Sequence, residues 1–169
     1  MMEREGNQVD LFVSILVRFP QIGTIRYDPE TSALRLAFLL KATDQSFQIF
    51  ARRVESHLAL FHSLRQEEIA VASLKKGETG ELTTLEVIRD LASLSLSELN
   101  LIVQLVRDYY GDALVQEGPT MTEEDELEQN LLIENLLMSS AWRPLERLMG
   151  FRENGRVLVF SVPLGVSES

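Results

Sequence analysis

Residues 24–41 read Thr24-Ile25-Arg26-Tyr27-Asp28-Pro29-Glu30-Thr31-Ser32-Ala33-Leu34-Arg35-Leu36-Ala37-Phe38-Leu39-Leu40-Lys41, and the fold follows from how this stretch is parsed. Thr24 to Tyr27 has the alternation of a strand. Asp28 to Ser32 carries turn chemistry, with a carboxylate that can accept a local N–H and a proline that pre-sets φ. Leu34 to Lys41 is the return arm of a hairpin. Leu36 to Leu40 is apolar on both faces, which suits a strand in the middle of a sheet.

The pattern then repeats toward the C-terminus. Asp44 or Ser46 can cap a helix running to about Leu64, with Phe47, Phe50, Ala51, Val54, Leu58 and Phe61 as its core stripe. A second hairpin follows, with arms at 69–75 and 82–88 and a turn over Lys76-Gly77-Glu78-Thr79-Gly80. A second helix starts near Ser95 or Ser97. Its face is Leu99, Ile102, Val103, Val106, Tyr109 and Tyr110, and Gly111 falls in a weakened last turn. Residues 22–114 therefore read β-β-α twice, a repeat of pattern without residue identity. Each hairpin has one apolar face and each helix one stripe. The expected fold is α+β: a four-stranded antiparallel sheet from two ββα units, with helices on one face and a C-terminal helix and strand or hairpin extension.

Outside this core the signals are mixed. Residues 10–19 fit a helix through Leu11, Phe12, Ile15, Leu16 and Phe19, and a strand through Leu11, Val13, Ile15, Val17 and Phe19. The reading adopted is a helix ending before Pro20, after a polar, frayed segment at 1–8. Residues 116–122 read as a linker between a core at 1–115 and a unit at 123–169. Thr122 caps an acidic helix extending to about Ser140, whose carboxylates favour the positive N-terminal end. Trp142-Arg143-Pro144 punctuates it. A short helical turn is expected at 145–149, closed by Gly150 in the left-handed region. Asn154-Gly155 is a strong two-residue hairpin signal and precedes the strand Arg156 to Phe160. Residues 163–169 read as a tail.

The 169-residue chain has a net charge of −10, but nine of its 26 acids and none of its 16 bases lie between Asp108 and Trp142. A polyanion would avoid that segment, while the remainder is nearly balanced. The chain contains no cysteine, which removes disulfides, thiolate metal sites and cysteine nucleophiles. No run approaches the ~18 apolar residues of a membrane span. The N-terminal Met-Met-Glu-Arg-Glu-Gly lacks the basic region of a secretory signal, so a cytoplasmic protein with no membrane association is expected.

Catalytic and cofactor signatures are absent: no Walker-type phosphate loop, no dinucleotide fingerprint, no nucleophile elbow. Gly77 and Gly80 are explained by a turn. His57 and His62 are about 140° apart on a helix and cannot readily share a metal. The carboxylates at 123–128 suit a solvated helix start better than a calcium loop. No catalytic, cofactor-binding or metal residue is therefore assigned, and no cofactor is expected. Ile49 and Leu60 lie opposite the stripe of their helix, Leu101 and Leu105 widen the next one, and the leucines of 123–140 spread around the cylinder. The resulting expectation is a non-enzymatic interaction or regulatory protein acting through its helical layer. A homodimer is expected, with Leu132 and Leu136 at the contact. Trp142, Arg143, Arg147, Arg152 and Arg156 form a second candidate partner surface. The alternatives are a nucleic-acid- or ribosome-associated protein using those arginines, and an enzyme with a motif-less carboxylate site.

Overall fold

The computed structural model describes residues 2–68, 72–116, 121–138 and 146–162 of the protein. Its elements in chain order are α1 (Met2–Arg18), β1 (Thr24–Asp28), β2 (Ala33–Leu40), α2 (Phe47–Leu64), β3 (Ala72–Thr79), β4 (Leu82–Asp90), α3 (Leu96–Tyr110), α4 (Glu123–Met138), β5 (Arg147–Glu153) and β6 (Arg156–Val162). The six strands form one antiparallel sheet in the order β3-β4-β2-β1-β5-β6. The class is α+β, as expected, and the four strands of the two hairpins are neighbours in it. The expected four-stranded sheet is two strands too few, because the C-terminal hairpin joins along β1.

Strand alternation sorts the side chains. Leu34, Leu36, Phe38 and Leu40 of β2 share one face with Ile25 and Tyr27 of β1, Leu85 and Val87 of β4 and Leu148 of β5, and all lie in one core cluster. The helices converge on that face. α1 covers the β1–β5–β6 half with Leu11, Phe12, Ile15, Leu16 and Phe19, none more than 1% exposed. α2 and α3 complete the core with Phe50, Val54, Leu58, Leu99, Ile102 and Val106. α4 packs on α1 and α3, with Ile133 and Leu136 turned inward. Arg18 ties it down, donating to Asn130 Oδ1 at 2.7 Å and Glu126 Oε1 at 3.0 Å.

The helix starts are capped by short hydroxyls. Ser46 Oγ accepts from the Ile49 N–H, Ser95 Oγ from the Glu98 N–H and Thr122 Oγ1 from the Asp125 N–H. Ser46 and Ser95 are the caps, not Asp44 or Ser97. α1 is helical from Met2, so the segment expected to fray continues the helix.

Two local expectations are corrected. The β3–β4 connection is tighter than the five residues 76–80: Thr79 pairs with Leu82, so Lys76, Gly77 and Glu78 lie in the strand and Gly80, at φ 63°, makes the turn with Glu81. Residues 147–149 belong to β5 and not to a helical turn; residue 145 lies outside the described residues, as do 69–71 of the first arm. Gly150 does not take the expected left-handed φ, and the glycine is called for by space instead. A Cβ there would come within 2.8 Å of Ile25 Cγ2, 2.9 Å of Leu16 Cδ1 and 3.0 Å of Val159 Cγ2. The missing side chain lets α1 press onto β5.

Candidate functional site

The partner-binding candidates of the sequence do not share one surface. Leu132 is 41% exposed, whereas Leu136 is 8% exposed and part of the core. The exposed apolar stripe of α4 is instead Leu127, Leu131 and Met138. Trp142 and Arg143 lie outside the described residues. Arg147 points to the face of the sheet away from the helices and lies 3.6 Å from Glu30. Arg152 points the other way. Its guanidinium donates to the carbonyls of Leu16, Phe19 and Ile22, where α1 ends and the chain turns into β1. Arg156 is exposed on the same face as Arg147. The arginines that look clustered in sequence are divided by strand alternation, and one is a structural clamp.

The densest group of ionisable side chains was not legible as a unit. Arg89, Glu98 and His62 are 0%, 0% and 2% exposed. Arg89 holds Glu98 with two donors, one of them Nη2 to Oε1 at 2.8 Å, and also reaches Asp90. His62 Nε2 lies 2.7 Å from Glu98 Oε1. Ser93 Oγ accepts from Arg89 and donates to Asp90 Oδ2 at 2.6 Å. Nε2–H of His62 therefore donates to Glu98, and the 3.3 Å approach of Arg89 Nη2 to that nitrogen is a contact between donors, not a bond. His62 Nδ1 lies 3.3 Å from Glu67 Oε1 but lacks hydrogen-bond geometry. Burial works against the Arg89 charge, but the bonds and fields of Glu98 and Asp90 outweigh it and raise its pKa above the ordinary value. The cluster joins the ends of α2, β4 and α3. Arg89, His62 and Ser93 each donate to a carboxylate of the cluster, so its arrangement is that of a lock.

His57, by contrast, is exposed and lies 2.7 Å from the Arg53 carbonyl, on its own helix. Among the described residues no group of three or more His, Asp or Glu is placed to hold a metal ion. No helix among them is long and apolar enough to cross a membrane.

The remaining candidate is the sheet face that the helices leave uncovered. Across β1, β5 and β6 it presents Thr24, Met149, Phe151, Leu158 and Phe160. Phe151 and Phe160 are diagonal neighbours with ring centroids 5.8 Å apart, edge to face. At one end lies a groove of about 400 Å³, lined by Pro20, Gly23, Thr24, Leu39, Val115, Met149, Phe151 and Arg152. At the other end a polar hollow of about 200 Å³ is lined by Arg26, Arg35, Arg147, Asp28 and Met149 among others. Arg35 pairs with Glu86 at 3.8 Å and Arg147 with Glu30 at 3.6 Å, both in solvent, where such pairs are weak. Arg26 makes no ion pair among the described residues. Met149 borders both hollows, so the surface runs from apolar to cationic without a break.

No protein-family model matches the chain, and no characterised protein and no solved structure matches it significantly.

Proposed function

We propose that this is a non-enzymatic binding protein that takes a polypeptide segment on the uncovered face of its sheet, apolar side chains over Phe151 and Met149 and a carboxylate toward Arg26, Arg35 and Arg147. One observation carries the reading. Among the described residues the one titratable side chain lining the apolar groove is Arg152, and its guanidinium is engaged with three backbone carbonyls. The described residues thus give the groove contact area and no general acid or base. The three other arginines supply orientation, since a guanidinium recognises a carboxylate by geometry as well as charge. The surface is broad and shallow, which favours a chain segment over an enclosed small molecule. This keeps the expected class, an interaction protein, and places its contact on the sheet instead of the helical layer.

Panning a random peptide library on the full-length chain tests this. Enriched sequences should combine apolar residues with Asp or Glu. Their binding should fall roughly tenfold or more in Arg26→Glu, a change of at least ~1.4 kcal/mol, and be lost in Phe151→Asp with the circular dichroism spectrum unchanged. Failure to enrich any sequence, or enriched peptides indifferent to both substitutions, overturns the proposal.

A further inference from the structure

The two outermost strands differ in a way that bears on assembly. β3 carries Lys75, Lys76, Gly77 and Glu78, all exposed, the charges that blunt a sheet edge. β6 reads Arg156-Val157-Leu158-Val159-Phe160-Ser161-Val162, with one charge at its start and apolar residues on both faces. Among the described residues β6 has a neighbour on one side only.

The hairpin determines which backbone groups point outward. Asn154 and Gly155 have φ of 51° and 77°, both positive, and Glu153 pairs with Arg156. That is a two-residue type I′ turn, whose flanking residues exchange hydrogen bonds. Arg156, Leu158 and Phe160 therefore bond to β5. Val157, Val159 and Ser161 turn their N–H and C=O groups to the open edge.

We infer that β6 pairs with β6 of a second copy, antiparallel about a twofold axis at Val159, so that two sheets become one. In this register Val157 faces Ser161 of the other copy, Val159 faces its own equivalent, and Leu158 faces Phe160. All three outward-pointing residues are satisfied by the same three of the partner. Faces are preserved, so Val157 and Val159 stay on the helix side and Leu158 and Phe160 on the uncovered side. The two Arg156 side chains stand at opposite ends of the paired segment, each opposite Val162, about 20 Å apart by strand rise. A β3–β3 pairing would instead crowd Lys75 and Lys76 against their equivalents. A β3–β6 pairing would be head-to-tail, which gives a ring or an open filament and not a closed dimer. The second copy is thus the occupant that matches this edge in hydrogen bonding, polarity and charge. The inference is independent of peptide binding on the uncovered face, although pairing would set two such faces side by side.

Sedimentation of the full-length chain reads the assembly state. The expected result is a species of twice the 19.2 kDa chain mass. Ser161→Pro removes one outward donor per copy, two per dimer, and should weaken association roughly thirtyfold while leaving the β5–β6 hairpin intact. Amide exchange should show Val157 and Val159 protected in the wild type and released in that variant. A wild type that sediments as a monomer at its highest attainable concentration overturns the inference. So does a dimer that survives Ser161→Pro with unprotected edge amides, or one dissolved instead by Leu127→Glu with Leu131→Glu on α4.

Discussion

At the β3 side of the sheet, β4 ends in Arg89 and Asp90, and a buried network of charges ties it to α2 and α3. At the β6 side, Leu148 of β5 stands in the cross-strand row of Arg89, Gly150 is the next inward-facing residue, and α1 packs there through hydrocarbon, with Arg152 clamping the carbonyls at its end. One half is held by directional bonds among buried charges, the other mainly by shape. The outer strands follow suit: β3 is charged, and β6 is apolar and open. Buried charge gives a single geometry at little net stability, because desolvation offsets the Coulombic gain. Hydrocarbon packing gives stability, and beyond it the β6 edge has no neighbour among the described residues.

Breaking the charged half should have the largest effect. Arg89→Met strands Glu98 and Asp90 in the interior and should cost about 3–5 kcal/mol in urea unfolding, a large share of a typical domain's stability. The triple variant Arg89→Met, Glu98→Leu, Asp90→Asn should recover much of that, because the charges needing partners are gone. If Arg89→Met alone is neutral, the network is not the lock described above.

In the hydrocarbon half, Gly150→Ala forces a methyl against Ile25, Leu16 and Val159. The atoms it meets are side-chain ends, so the neighbours can shift, and a cost of about 1–3 kcal/mol is expected in thermal unfolding. Gly150→Val should cost more. A neutral Gly150→Ala would mean that α1 does not press on β5 as drawn.

The edges can be exchanged. Lys75→Val with Lys76→Val makes β3 resemble β6, and concentration-dependent light scattering should then rise as a second sticky edge permits open-ended growth. Unchanged scattering would show that the lysines are not what protects that edge.

The smallest effect near neutrality concerns Tyr110, which packs against Phe50 and Tyr109 at the floor of the charged half. Burial, and secondarily the neighbouring Tyr109, push its phenol up to about 12 from the usual 10. The unfolded phenol ionises first, so this contribution to stability is complete below about pH 10 and is lost as pH rises toward 12. Ultraviolet titration should show a late phenol step that disappears in Tyr110→Phe. A normal titration in the wild type would place that ring in solvent.

Much of the fold was legible because it depends on local rules. The hairpins at 24–40 and 154–155, the caps at Ser46 and Ser95 and the core stripes of α2 and α3 follow from residue spacing and backbone sterics. The buried network was half written. Leu85, Val87 and Arg89 alternate onto one face, and Ser95 with Glu98 has the spacing of a capping box. What could not be read is that His62, Arg89 and Glu98 meet, since they lie on three elements. The arginine cluster at 143–156 misled for the opposite reason. Nearness in sequence put Arg147 and Arg152 together, and a period of two sent them to opposite faces.

The sequence by itself determined the α+β class, the antiparallel hairpins and the absence of cysteine chemistry, because propensity, turn stereochemistry and composition act over a few residues. Only the tertiary structure decided that β5 lies beside β1, that α4 folds onto α1 and α3, and which face of the sheet the described helices leave uncovered. Those choices depend on how a limited apolar surface is shared among elements far apart in the chain, and such a competition leaves no local mark on any one of them.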